Sequence, residues 1–159
     1  MIFVTVGAQM PFDRMVRTVD DWAGRVGRGD VFAQIGPTRW RPAHLKWTRF
    51  LDSSEFRRRI EAADAVIAHA GMGSIIMALH LGKPILVMPR RGDLRETRND
   101  HQVATAQRFL EMGHLDVAFD EVELAGKLDR IDSLQRRKTI GPYASESLLN
   151  ALREFIRAA

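Results

Sequence analysis

The sequence predicts an α/β fold, a doubly wound parallel sheet covered by helices on both faces. Three observations carry this expectation. Short apolar runs alternate with stretches of helical period along the chain. The clearest runs, Val66–Ala68 and Ile85–Met88, are continuously apolar, the pattern of strands buried on both faces. The runs also stop at chain-turning residues: Gly7, Gly36-Pro37, Gly71 and Pro89.

Taken in order, Ile2–Val6 is a β-branched strand, and Phe12–Arg25 is a helix with Met15, Val16, Val19, Trp22 and Ala23 at core-facing spacing. Val31–Ile35 is the second strand. Ala43–Leu51 is expected as a third, half-exposed because Lys46, Thr48 and Arg49 interrupt it. Asp52-Ser53-Ser54-Glu55 offers N-caps for a helix over 54–63. Asp64–Ala68 is a strand, Met72–Leu81 an almost wholly apolar helix closed by Gly82, and Pro84–Met88 the next strand. A polar loop over 90–98 leads to a helix over Asn99–Met112 that ends at Gly113. A short strand over Leu115–Phe119 and helices over 120–131 and 145–158 complete the chain, with Gly141-Pro142 breaking the segment before the last helix.

No repeat, low-complexity tract or internal boundary divides residues 1–159, so one domain is expected. With 45% hydrophobic and 28% charged residues, the composition is that of a globular protein able to bury a core. The absence of cysteine excludes disulfides and thiolate metal sites and suits a reducing compartment. No apolar run is long enough to span a bilayer, and the apolar start lacks a basic leader and cleavage site, so it is expected to be a strand. The net charge of +4, with clusters at Arg57-Arg58-Arg59, Arg90-Arg91 and Arg136-Arg137-Lys138, is compatible with phosphorylated small molecules, anionic headgroups or a merely solvated surface. No nucleic-acid signature accompanies it, and no nucleic-acid partner is expected.

In such a fold, ligands lie beyond the carboxyl ends of the strands. Three junctions on that edge carry chemistry. In Val66-Ile67-Ala68-His69-Ala70-Gly71-Met72-Gly73-Ser74 a buried strand meets two glycines and then a helix. Gly71 and Gly73 allow a tight turn and close approach to the amides, Ser74 offers a hydroxyl, and the helix start suits an anion such as phosphate. A plain strand–turn–helix link is the competing reading. Ile76 stands where a third dinucleotide-binding glycine would fall, and no Gly-Lys-Ser/Thr follows. The second junction, Gly7-Ala8-Gln9-Met10-Pro11, is similar but plainer. The third, from Pro89 to Gln102, ends in Asn99-Asp100-His101-Gln102 at a helix start. Capping explains one of these residues, while amide and carboxylate groups together suit sugar hydroxyls. The five histidines (His44, His69, His80, His101, His114) lack metal-site spacing with a matching carboxylate, and no Gly-x-Ser-x-Gly elbow is present.

His69-Ala70-Gly71-x-Gly73-Ser74, Leu81-Gly82-Lys83-Pro84 and Asn99-Asp100-His101-Gln102, after the opening Phe3-Val4-Thr5-Val6-Gly7, together resemble the C-terminal domain of glycosyltransferase family 28. The match runs over most of the chain. It is similar to the free-standing members, which include the soluble subunit of the eukaryotic dolichol-linked UDP-GlcNAc transferase. Pro89-Arg90 with Glu96 looks closest to the bacterial exopolysaccharide and capsule subunits.

The resemblance implies the Rossmann-like C-terminal half of a GT-B fold. It also implies a UDP-sugar held by Gly7, Ala8, Gln9, Ala70, Gly71, Met72, Gly73, Ser74, Arg90, Glu96, Asn99, Asp100, His101 and Gln102. A membrane-anchored partner subunit would supply the other half and a lipid-linked sugar acceptor, recruiting this chain from the cytoplasm to the inner face of the membrane. The length agrees, since a two-domain enzyme needs roughly twice this chain. One departure stands out: a glutamate that grips the ribose in relatives falls here at Met77, so UDP-GlcNAc is not assumed as donor.

The reaction implied is an inverting transfer without metal or cofactor, with His69 and His101 as candidate general bases. Two alternatives stand beside it. One is a non-catalytic subunit that binds the nucleotide sugar or stabilises a transferase. The other is a sugar-nucleotide epimerase of related fold, against which the length argues.

Overall fold

The computed structural model describes residues 1–135, 139 and 143–158; the Arg136-Arg137-Lys138 cluster and the Gly141-Pro142 break lie outside them. The elements are β1 (Ile2–Thr5), α1 (Asp13–Val26), β2 (Val31–Gln34), β3 (Lys46–Thr48), α2 (Ser53–Ala62), β4 (Ala65–His69), α3 (Met72–His80), β5 (Ile85–Met88), α4 (His101–Glu111), β6 (Asp116–Val117), α5 (Glu121–Leu128), a 3-10 turn (Ile131–Ser133) and α6 (Glu146–Ala158). Among the described residues the six strands make one sheet in the order β3-β2-β1-β4-β5-β6. Every neighbouring pair is parallel. The expected doubly wound α/β architecture is therefore present.

Strand side chains alternate between two cores, which is why the central runs read as continuously apolar. Ile2, Val4, Ile67, Leu86 and Met88 pack toward α1 and α5, against Met15, Val19, Trp22, Leu124 and Leu128. Phe3, Val66, Ala68, Ile85 and Val87 pack on the other face, against Ile60 of α2, Ile75 and Leu79 of α3 and Ala106 of α4. Each large aliphatic side chain removed from water contributes roughly 1.5–3 kcal/mol before entropy is counted. The order reverses between β1 and β4: the chain first winds outward through β2 and β3, then returns beside β1 and winds the other way. Loops following β1 and β4 thus diverge and leave a crevice at that point.

Several elements are shorter than their patterns suggested, for identifiable reasons. Residues 43–45 do not extend β3. Their backbone N–H groups instead donate to the Asp20 carboxylate, at 3.0 Å from Ala43, 2.8 Å from His44 and 3.0 Å from Leu45. Asp20 lies on α1 and is 2% exposed, so the β2–β3 connection is stapled to that helix. β6 is only Asp116–Val117, an edge strand paired with β5 at Leu86 and Val87. α5 ends at Leu128, and Ile131 is buried from the separate 3-10 turn. The apolar α3 still presents Met72 (46% exposed) and Ile76 (45%) to solvent, and His80 is exposed at its end. α6 likewise carries exposed Leu148, Leu152, Phe155 and Ile156.

The staple yields a stability prediction. Asp20→Ala strands three N–H donors, that of Leu45 buried and those of Ala43 and His44 partly so, and should cost roughly 2 kcal/mol, while Asp20→Asn, which retains one acceptor oxygen, should cost less. Urea unfolding followed by circular dichroism measures both.

Candidate functional site

A cleft of about 570 Å³ opens at the carboxyl edge of the sheet, over the reversal between β1 and β4. Its walls come from the β1–α1 turn (Gly7, Ala8, Gln9, Met10), the β4–α3 turn (His69, Gly71, Gly73, Ser74) and the β5–α4 segment (Arg90, Thr97, His101, Gln102). Gln34, Leu51, Ser53, Phe56 and Met77 close the remaining side.

His69, the last residue of β4, projects its ring between the two glycine turns. A Cβ on Gly7 would fall 2.8 Å from His69 Cε1, and one on Gly71 would fall 2.1 Å from Nε2. The glycines at 7 and 71 therefore make room for an imidazole, and at Gly7 the positive φ of 76° is a second reason. Gly73 differs. A Cβ there would meet nothing within 4 Å, so its missing side chain leaves the cleft open above the first turn of α3. That helix starts from Gly71 without a side-chain cap, and its first amides have no intrahelical acceptor. An anion seated there would satisfy them and meet the positive end of the helix dipole.

The imidazole is neutral at physiological pH. Burial lowers its pKa to about 4, the nearby Arg90 guanidinium adds to the fall, and the Thr5 carbonyl offsets part of it. Its Nδ1 is buried without a hydrogen-bond partner among the described residues.

Arg90 is not a surface residue: it is 3% exposed. Its guanidinium sits under the β1–α1 turn, donating to the carbonyls of Val6 at 2.8 Å and Met10 at 2.7 Å, and also to that of Pro11. The same group lies 4.8 Å over the Phe12 ring. Burial lowers its pKa to about 10 while Glu96 opposes the fall, so it remains a cation at neutral pH. By holding these carbonyls beneath the turn, Arg90 fixes the shape of one cleft wall from another strand. Gln102 completes the tie, with Oε1 accepting from the Arg90 amide at 3.1 Å and its side-chain N–H₂ left for the cleft.

The remaining candidates fall outside the cleft lining. Glu96 is committed to protein groups: it takes two bonds of 2.8 Å from Arg14 and one of 3.0 Å from the Arg91 amide. Asp100 accepts from the Gly92 amide at 2.8 Å and borders a second recess with Arg91 and Asp93. These bonds, and that from Arg95 N–H to the Gly92 carbonyl, fold the polar segment after β5 into an ordered turn. Asn99 Oδ1 accepts from the His101 amide at 3.3 Å and also contacts its Nδ1. Ala70 is a core residue and Met72 points to solvent. Sequence reasoning did not anticipate Gln34, Leu51, Ser53, Phe56 or Thr97. Of these, Gln34 carried one usable signal, a polar residue closing an apolar strand.

The model of the family described as "Glycosyltransferase family 28 C-terminal domain" matches residues 1–155. The chain is 38% identical over 86 residues to the "UDP-N-acetylglucosamine transferase subunit ALG13" of Candida albicans, a stretch covering 54% of this chain and 28% of that protein. It is 23% identical over 163 residues to the Yarrowia lipolytica protein of that name, covering 93% and 76%. The matches at 34–38% identity span only 7% to 48% of those relatives' lengths. In fold, the chain resembles the crystal structure of the glycotransferase of kitacinnamycin, with TM-score 0.62 and 19% identity over 99% of this chain and 39% of that one. It also resembles the solution structure of ALG13, with TM-score 0.57 and 21% identity over 95% and 93%.

The imidazole slot makes stability sensitive to both side-chain volume and pH. Gly71→Ala should destabilise the protein by roughly 1–3 kcal/mol through the collision with His69, and most of that loss should vanish in the His69→Ala background. Gly73→Ala should fold at least as well as the parent. Chemical denaturation of the four proteins completes the cycle. Because the folded pKa of His69 (about 4) lies below the unfolded value of 6.5, the unfolded chain binds the extra proton between them. Stability should therefore fall as pH drops from about 6.5 toward about 4, by up to about 1.4 kcal/mol per unit from this group. His69→Gln should flatten that slope, as read from urea midpoints across the range.

Proposed function

The chain belongs to the glycosyltransferase family 28 C-terminal domains, and from that premise we propose that it is the donor-binding subunit of an inverting glycosyltransferase. The donor is a UDP-sugar and the acceptor a polyprenyl-diphosphate-linked sugar, as in bacterial polysaccharide assembly. A membrane-anchored partner subunit supplies the acceptor half and recruits this chain to the cytoplasmic face of the membrane. The observation that carries the reading is the convergence of the uncapped start of α3, the open position at Gly73 and the Arg90-braced turn on one cleft. The relatives, named as a UDP-N-acetylglucosamine transferase subunit, support both the donor class and the subunit character.

In the transfer, an acceptor hydroxyl attacks the anomeric carbon, the bond to the diphosphate breaks, and its electron pair leaves on UDP. Charge building on the β-phosphate meets amides and a helix dipole fixed before the reaction, so little reorganisation is needed. Ser74 and the Gln102 amide are placed to bond donor oxygens. Met77 on the cleft wall offers nothing to ribose hydroxyls, so polar contacts to the ribose fall to groups such as Gln34 and Ser53.

Of the two histidines, His101 suits the base role better. It is exposed on the cleft, and its Nδ1 faces Asn99 Oδ1, which orients the ring and frees Nε2 to accept a proton. His69, with a pKa of about 4, is a weak base. That same depression favours a second reading, in which this chain binds the donor and the partner provides the base.

Calorimetry should detect UDP binding to the chain alone, weakened roughly tenfold or more in Gly73→Ala, whose new methyl projects into the cleft. Transfer should require the partner and decline in Asn99→Ala, His101→Gln and Gln102→Ala. Absence of UDP binding sinks the donor-site reading. Binding with turnover indifferent to these three substitutions leaves the non-catalytic subunit.

A further inference from the structure

Between Asp30 and Asp52 the chain contains no acidic residue and four basic ones, Arg39, Arg41, Lys46 and Arg49. All four are exposed, and none has a carboxylate within ion-pair distance among the described residues. Several arginines elsewhere, Arg25, Arg28, Arg57, Arg58 and Arg91, each sit against a carboxylate, and what distinguishes the strip is that its run of unpaired cations is interrupted by no acid. The acid beneath this segment, Asp20, is buried and engaged by three backbone amides. The segment folds along α1 and the outer strand β3, where exposed Arg17 joins it by stacking 4.8 Å over the Trp40 ring. Trp40 and Trp47 are partly buried against the core, and Phe50 is 50% exposed. The next residue, Leu51, lines the cleft, so the strip reaches its rim.

We propose that this strip is a docking surface for an anionic lipid bilayer. Unpaired cations gain most beside a dense negative surface, and the attraction needs no shape match. Indole and phenyl groups flanked by arginine suit the headgroup level, where apolar bodies and polar tips are both accommodated. A single-stranded nucleic acid fits less well, because it needs free ring faces to stack upon. Here the Trp40 face is occupied by Arg17 and Trp47 packs inward. A folded protein partner requires an apolar centre fully buried on contact, and the strip offers one well-exposed ring ringed by charge. Contact with the bilayer is thus made by this chain itself, with the cleft mouth held close to the lipid surface. The proposal stands apart from the donor reading, since the strip's cations do not line the cleft.

Co-sedimentation of the full chain with phosphatidylcholine vesicles, with and without phosphatidylglycerol, tests it. Binding should appear only with the anionic lipid, fall as salt rises from about 0.1 to 0.5 M, and blue-shift tryptophan fluorescence. Arg39→Ala/Arg41→Ala/Arg49→Ala should lower partitioning roughly 100-fold, about fivefold for each cation removed, with the thermal midpoint and UDP binding unchanged. A charge-matched control, Arg25→Ala/Arg57→Ala/Arg58→Ala, should retain most of the binding. Equal loss in both triples would reduce the effect to net charge and overturn the proposal. So would binding to neutral vesicles alone, no vesicle binding, or a preference for single-stranded RNA in the same assay.

Discussion

A guanidinium buried in a protein core must be surrounded by acceptors or it will not stay there, and Arg90 meets that condition with the carbonyls of the β1–α1 turn. The consequences spread outward. The carbonyls of Val6, Met10 and Pro11 are held beneath the turn that forms one wall of the cleft. Strand β5 becomes mechanically tied to β1 across the intervening β4. The Phe12 ring, which starts α1, is covered by the same cation. Arg14 and Glu96 repeat the tie on the outside, joining α1 to the segment after β5. A cleft that would otherwise be walled by two independent loops is braced by charge-assisted bonds, stronger than neutral ones and directional.

The glycines divide their work in a way that their spacing alone does not reveal. Gly7 and Gly71 give up their side chains to one another's neighbour, the His69 ring, which keeps the two turns at a set separation. Gly73 gives up its side chain to the cleft. A pattern that looks like one glycine-rich anion loop is therefore two devices. One is an internal spacer and the other an opening, and they differ in what a methyl group would strike.

Much of the fold was legible because both signals it depends on are local. Continuous apolar strands announce burial on two faces, and glycine or proline marks where each strand must stop. β3 was overestimated because the amides of residues 43–45 belong to Asp20, more than twenty residues earlier, and no window of sequence records that debt. The site was legible to the same degree. His69, Gly71, Gly73, Ser74, His101 and Gln102 meet on the cleft because they sit at strand ends and helix starts. Glu96 was expected at the ligand from the family resemblance, yet its carboxylate is taken up by Arg14, which lies on α1 more than eighty residues earlier. Arg90 was expected either at the ligand or as surface charge, and its burial beneath the turn was not legible because its acceptors are backbone oxygens some eighty residues away, which every residue type supplies.

The same burial that braces the cleft also sets its charge. His69 and Arg90 are neighbours in a poorly solvated place, and each is pushed toward its neutral form, to about 4 and about 10 respectively. Between those values one remains neutral and the other cationic, with no change of state. An anion entering the cleft therefore meets one buried positive charge, a helix dipole and fixed amides, none of which titrates near neutrality. Were His69 protonated as well, two buried cations would face each other across the turn and push the braced walls apart. Burial and the neighbouring guanidinium together keep the imidazole neutral, while Arg90 stays charged on its own carbonyl acceptors. The depressed histidine is in this sense part of the cleft's electrostatics even without moving a proton.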